Sequence, residues 1–212
     1  MPKAGFTFGP RIAAPDYKQI DEDAEQQVLK DLGVEDLELT DVPAMARSGK
    51  IRPDDLLVKA AQIVEQADAE LGVYLEERDQ ALAHLWFYEQ RIGLAKTAGL
   101  TLTAYRNILS TMMFGQKQAV GDHETAEEIV QAAEAAGVQR IDDAEARLLK
   151  AAAIVRAART RRGLALRYQQ EAALALTMKP YDWSTGQIAE TAGVEWQTAY
   201  SQVAVARKRH GL

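Results

Sequence analysis

The chain has 212 residues, of which 47% are hydrophobic and 7% aromatic, and its formal net charge at pH 7 is −6. Abundant alanine with few aromatics favours packed helices over a β-sandwich. The absence of cysteine excludes disulfides and thiolate zinc sites, and three histidines make a metal site a poor explanation of the chain. The composition therefore predicts an all-α protein without a cofactor. No apolar run has the length of a membrane span and the N-terminus lacks a signal-peptide core, so we expect a cytoplasmic protein without a membrane partner.

The charge is unevenly distributed along the chain. Residues 141–212 carry 11 Lys/Arg and 7 Asp/Glu, whereas residues 1–140 carry 14 and 24. This asymmetry is typical of an acidic interaction region joined to a DNA-facing region. A solvated acidic surface with no partner explains the charges equally well.

Residues 1–52 are predicted to be an acidic N-terminal arm and a short helix. Prolines and glycines in residues 1–15 predict an extended arm, for which disorder is the simplest expectation, although Phe6 and Phe8 could anchor it on a partner subunit. An apolar residue every four positions predicts a helix over residues 16–32, ended by Gly33. After it we expect turns and connectors, interrupted by Pro43.

Residues 53–140 are predicted to form a helical scaffold. Pro53 followed by two aspartates suits a helix start, and apolar residues then alternate at three and four positions over a helix of about 35 residues. A helix this long needs a long packing partner, from the same chain or from a second subunit, so a homodimer or higher homo-oligomer is expected. The aromatic stretch at residues 85–88 fits a core or a dimer interface better than a ligand site.

Residues 95–100 repeat the pattern of residues 189–194 at an offset of 94 positions, with glycine at the same place. This stretch is either a second, weaker helix-turn-helix or an ordinary corner between two helices. If it binds DNA, its contacting side chains would be Lys96, Thr101, Thr103, Arg106 and Asn107. Residues 115–122 are predicted to be a loop, followed by a short acidic helix over 124–136.

Residues 141–212 are predicted to hold a second long helix and a C-terminal DNA-binding motif. The long helix should run from 142 to about 178, and its dense arginines either contact phosphates or pair with the acidic N-terminal half. Residues 184–209 then show a helix, a glycine turn and a second helix that ends in a basic run. Ser184 suits the first N-cap and Gly193 the turn.

The order of polar, small and apolar residues from Gln187 through Gly193 to Arg209 resembles the helix-turn-helix in the C-terminal DNA-reading domain of bacterial sigma factors. The resemblance covers about residues 164–212 and implies that the last helix enters the DNA major groove. By position, it implies base-facing side chains at Glu195, Trp196, Gln197, Tyr200, Ser201 and Ala204. It implies phosphate contacts by Thr185, Arg207, Lys208 and Arg209. Glu195 and Trp196 depart from the pattern, because a positive or small residue is more usual there.

These features predict a non-catalytic protein that binds double-stranded DNA, as an oligomeric transcriptional regulator or DNA-organising protein. One alternative is a DNA-recognition subunit of a phage packaging machine, similar to a small terminase. Another is an adaptor whose motif docks on the transcription machinery. Enzyme motifs are incomplete, since Ser48-Gly49-Lys50 lacks the upstream glycine of a phosphate-binding loop and His123-Glu124 lacks the second histidine of a zinc protease.

Overall fold

The computed structural model describes residues 8–117 and 125–212, and these residues form an all-α fold, as predicted. The helices of the described part are α1 (Tyr17–Leu32), α2 (Val42–Arg47), α3 (Pro53–Phe87), α4 (Leu94–Thr97), α5 (Leu102–Phe114), α6 (Ala126–Ala135), α7 (Ala144–Thr177), α8 (Thr185–Ala192) and α9 (Trp196–Arg209). A short 3-10 turn, Leu39–Asp41, precedes α2. Of the helices described, none combines the length and the apolar character that crossing a membrane requires.

The two long helices lie where the sequence predicts them. α3 has 35 residues and begins at Pro53, with Asp54 and Asp55 in its first turn. Proline needs no amide partner there, and the two carboxylates favour the positive end of the helix dipole. α7 has 34 residues and continues through Gly163 without a break.

The chain divides into two compact units that interleave along the sequence, whereas the predicted segments are contiguous. Unit 1 comprises Met1–Ile20 and Glu70–Arg156, and unit 2 comprises Asp21–Ala69 and Ala157–Leu212. Each long helix contributes one part to each unit.

Unit 2 has a core to which helices from all its segments contribute. Its largest buried apolar side chains come from α1, α3, α7, α8 and α9, and they include Val28, Leu57, Leu176, Ile188 and Val203. Outside this core, Arg162 of α7 donates to Asp68 of α3 at 2.6 Å. The buried sides of α8 and α9 therefore belong to the same core as residues of both long helices.

Unit 1 has its own core, and the aromatic stretch of α3 belongs to it. Leu85 and Phe87 are almost fully buried, while Trp86 and Tyr88 pack at the edge of the same cluster. Trp86 meets Tyr105 of α5 edge to face, with ring centroids 6.2 Å apart. Burial also raises the pKa of the Tyr105 hydroxyl. The core interpretation of this stretch is confirmed.

The N-terminal arm is ordered over its described part, so the expectation of disorder is wrong for residues 8–15. The amide of Gly9 donates to the carbonyl of Gln90 at 3.0 Å, and Arg11 forms a parallel bridge with Ile92. The Arg91 guanidinium donates to the Pro10 carbonyl at 2.9 Å. These backbone contacts replace the hydrogen bonds to water that an extended arm would otherwise make. Phe6 lies outside the described residues.

The connector after α1 contains a helix that the sequence reading missed. Pro43 lies in the first turn of α2 and does not interrupt it. The first-turn amide has no partner within a helix, so proline costs nothing at this position. Val42 and Ala46 are buried, which supplies the packing that stabilises so short a helix. Ser48 and Gly49 form the end of α2, which gives this stretch a structural explanation.

Candidate nucleic-acid interface

The α8–α9 pair is built by strong local signals. Ser184 and Gln187 form a reciprocal capping box. The backbone N–H of Gln187 donates to the Ser184 Oγ, and the backbone N–H of Ser184 donates to the Gln187 Oε1. Gly193 ends α8 with φ of +65°, in the left-handed region that favours glycine. Glu195 is then the N-cap of α9. The predicted order of helix, glycine turn and helix is present at the predicted residues.

α9 has one buried line and one exposed line of side chains. Ala199, Val203 and Ala206 are buried at a spacing of four and three residues, which fixes the helix on the core of unit 2. The opposite line, at the same type of spacing, consists of Gln197, Ser201, Ala204 and Lys208, all of them exposed. The side of α9 that faces outward thus carries amide, hydroxyl, methyl and ammonium groups, which suit contact with base edges and phosphates.

A second exposed line lies beside the first and is aromatic. Trp196 is 54% exposed and Tyr200 is 52% exposed, and their rings stack with centroids 5.3 Å apart and an interplanar angle of 15°. Arg207 follows on the same line, seven residues after Tyr200, and is exposed. Glu195, at the start of the helix, is also exposed and makes no side-chain cap hydrogen bond.

Arg209 differs from the two cations that precede it. Its guanidinium pairs with Glu171 of α7, whose side chain is completely buried, and donates to Gln170 at 2.9 Å. His210 places its Nε2 2.7 Å from the other Glu171 oxygen. A buried carboxylate needs such partners, so Arg209 serves to anchor the end of α9 on α7. Arg207 and Lys208 have no ion pair with any residue in the described part of the chain.

An open groove of about 850 Å³ runs along one side of α9 within unit 2. Gln197 and Ser201 belong to its wall, and so do Glu65, Asp68 and Glu190. The Asp68 carboxylate is paired with Arg162, but no ion pair of Glu65 or Glu190 occurs among the described residues. The groove therefore places negative charge next to the outward side of α9.

The groove wall also contains two buried glutamines with incomplete hydrogen bonding. Gln169 is 1% exposed and Gln202 is 6% exposed, and neither Oε1 accepts a hydrogen bond from a described residue. A buried acceptor without a donor costs roughly 1–3 kcal/mol.

The second predicted DNA site has the same backbone order but different surroundings. Gly99 has φ of +65°, and Thr101 caps α5 by accepting from the Ala104 amide at 3.2 Å. However, α4 has only four residues, and the ring of Tyr17 covers the turn. The Tyr17 hydroxyl donates to the Thr97 carbonyl at 2.6 Å.

Most of the side chains predicted for that second site are exposed. These are Lys96, Thr101, Thr103 and Arg106, whereas Asn107 is half-buried. The turn that would orient them is used in packing within unit 1. Its role in the structure is that of a corner between helices.

The remaining predictions concern Thr185, the arginines of α7 and the histidine motif. Thr185 is half-buried at the first residue of α8. Arg162 pairs with Asp68, and Arg156 lies 5.8 Å from the Tyr17 ring centroid, so both take part in contacts within the chain. His123 and Glu124 lie outside the described residues, as does most of the predicted loop. Within the described part, no group of three or more possible ligands could hold a metal ion.

Sequence reasoning missed Glu171 as the anchor of α9. The available signal was its position, since Glu171 directly precedes an alanine- and leucine-rich stretch that is buried. An acid next to such a stretch requires a cationic partner. Which of three adjacent cations supplies it depends on how α9 is oriented, and that is known only from the fold.

Comparison of the chain with protein-family models, with curated proteins and with solved structures finds no match.

Proposed function

We propose that this protein binds double-stranded DNA without catalysis, with α9 as the helix that enters the major groove. The observation that supports this most is the exposed line of Gln197, Ser201, Ala204 and Lys208. These side chains lie opposite the buried line of α9, on the side that a helix docked in the DNA major groove would turn toward the bases. The resemblance to the DNA-reading domain of sigma factors concerns the same residues.

The proposed contacts divide into base and phosphate contacts. Gln197 offers an amide that can pair with adenine in two hydrogen bonds, and Ser201 offers a hydroxyl that can accept or donate. Arg207 and Lys208 supply positive charge for phosphates, and Thr185 can donate to a phosphate from the start of α8. Arg209 is excluded from this set because Glu171 already holds it.

The proposed biological role is that of a transcriptional regulator or DNA-organising protein. The exposed surface of α9 has only two unpaired cations and lies beside the carboxylates of the groove, so one copy should bind weakly. Two linked copies would bind far more tightly through effective concentration. We therefore propose that the protein acts on DNA as an oligomer.

The direct test is a titration of the full chain with random-sequence duplex DNA at low salt, followed by selection of preferred sequences from a random pool. The proposal predicts weak general binding and an enriched sequence. Light scattering in the same buffer measures the oligomer. Absence of any binding at low salt would overturn the proposal.

A docking role on the transcription machinery is the second candidate, because Trp196 and Tyr200 are more exposed than large aromatics usually are. It predicts that replacing Arg207 and Lys208 by alanine leaves the main interaction intact, whereas Trp196→Ala abolishes it. DNA binding predicts that the two cation replacements weaken the interaction strongly.

A further inference from the structure

The stacked pair on α9 is a prearranged aromatic surface. Trp196 and Tyr200 lie one helical turn apart, and their rings are nearly parallel. More than half of each residue remains exposed, so an additional flat ring can stack on the pair. Because the two rings already hold each other in place, a third ring would bind with little further loss of side-chain freedom.

The surroundings of the pair favour nucleic-acid bases over a protein surface. Gln197, Ser201 and Arg207 are exposed next to it and are polar or charged. The other exposed apolar side chains of α9 are Ala204, which is small, and Val205, which lies on the opposite side of the helix. A protein interface would need a wider apolar centre. Proteins that bind single-stranded nucleic acid combine aromatic rings, on which bases stack, with cations that follow the backbone. Arg207 lies on the same line of α9 as the rings and has no ion pair among the described residues.

Tyr105 of α5, six residues after Gly99, is used differently from Tyr200 of α9, seven residues after Gly193. Tyr105 packs its ring against Trp86 in the core of unit 1, and its hydroxyl pKa is raised by burial. Tyr200, by contrast, points outward at the surface of unit 2. Packing within the chain therefore accounts for Tyr105, but it does not account for the exposure of the pair on α9.

We propose that Trp196 and Tyr200 stack on unpaired bases, so that the preferred ligand is duplex DNA that contains a short unpaired stretch. This rests on the proposed function: the duplex part would contact the line of Gln197, Ser201 and Lys208, and the unpaired bases would contact the neighbouring aromatic line. In intact duplex the base faces are covered by their neighbours, so the rings have nothing on which to stack.

The test compares the affinity of the full chain for a duplex and for the same duplex with a short internal bubble. Fluorescence anisotropy at constant salt measures both. We expect the bubble to bind roughly tenfold more tightly, because stacking on one base contributes a factor of that order. We also expect the bubble to quench tryptophan fluorescence, and this quenching should be lost in Trp196→Phe, which removes the indole and keeps a ring.

Four variants separate stacking from general contact. Trp196→Ala and Tyr200→Ala should abolish the gain on the bubble, measured for each variant as the ratio of its bubble affinity to its duplex affinity, and Trp196→Phe should keep most of the gain. Leu102→Ala is the matched control, because Leu102 is the first residue of α5, as Trp196 is of α9, and is 65% exposed. Circular dichroism of each variant checks that the helices remain folded.

The outcomes distinguish this inference from the proposed function. A selective gain on the bubble that depends on both rings supports the inference. Equal affinity for bubble and duplex overturns the stacking inference but leaves the proposed duplex binding in place. An equal loss of affinity for both DNAs in Trp196→Ala has the same consequence. If neither DNA binds, both proposals fail, and the aromatic pair is then a contact for a protein partner.

Discussion

At the residue scale, the three cations at the end of α9 have different environments. Arg209 neutralises a fully buried carboxylate, whereas Arg207 and Lys208 point outward. Removing one partner of a buried ion pair leaves a charge in a poorly solvated environment, which costs far more than removing a solvated charge. Replacing Arg209 should therefore lower the stability of the protein much more than replacing either of the two cations before it.

Arg209→Ala should lower the free energy of unfolding by about 2 kcal/mol or more, because Glu171 then keeps only His210 as a partner. Lys208→Ala should change it by less than about 0.5 kcal/mol, as expected for an exposed side chain. Urea denaturation followed by circular dichroism measures both. Equal stability of the two variants would contradict the anchoring role of Glu171.

At the element scale, the two helix–glycine–helix corners show how one backbone geometry serves two purposes. Gly99 and Gly193 share φ of +65°, and each is followed two residues later by the N-cap of the next helix. A Cβ on Gly99 would lie 3.1 Å from the Tyr17 ring, whereas a Cβ on Gly193 would meet nothing within 4 Å. Both glycines are exposed, but the Tyr17 ring lies against the first turn and no side chain lies against the second.

This difference predicts unequal costs for the same substitution. Gly193→Ala should destabilise the protein by about 1–2 kcal/mol through the left-handed backbone alone. Gly99→Ala should cost more, because the Tyr17 ring must also shift by a few tenths of an ångström. Thermal unfolding of the two variants provides the comparison. A larger loss for Gly193→Ala would contradict the role of Tyr17 at Gly99.

The negative charge in the groove beside α9 should weaken the binding of DNA to this helix. Glu65 lines the groove together with Gln197, so its carboxylate should repel DNA that is docked on α9. Glu65→Gln should raise duplex affinity roughly twofold at low salt, and the gain should shrink as salt is added. Glu25→Gln is the control, since Glu25 is exposed on α1 and does not line the groove. An equal gain from both variants would indicate a general charge effect.

Local signals explain why the sequence predicted most helices correctly. Pro53 with its two aspartates marked the start of α3, and Ser184 as an N-cap residue marked the start of α8. Predictions failed where long-range contacts decide the structure. Backbone pairing with residues 90–92 orders the described part of the N-terminal arm, and burial of Val42 and Ala46 stabilises α2. The role of Arg209 was hidden for the same reason, because Glu171 lies 38 residues earlier.

At the scale of the whole molecule, both the net charge and the contacts of the α7 arginines limit the affinity for DNA that we propose. The net charge of −6 opposes attraction to DNA over long distances. The local surface of α9 has unpaired cations, but some arginines of α7 are used in contacts within the chain. The apolar sides of both long helices contribute to the cores of this chain, so their length alone gives no reason for a dimer. The proposed DNA affinity must then come from a small number of phosphate contacts.

The most direct test of DNA binding through α9 is the salt dependence of duplex affinity for the Arg207→Ala/Lys208→Ala double variant. The slope of log affinity against log salt counts the phosphates that are neutralised, so the double variant should lose roughly two units of slope relative to the unmodified chain. Arg47→Ala/Lys50→Ala removes the same charge from exposed positions on α2 and the turn after it, and should leave the slope unchanged. An unchanged slope in the α9 variant, or equal losses in both variants, would contradict DNA binding through α9.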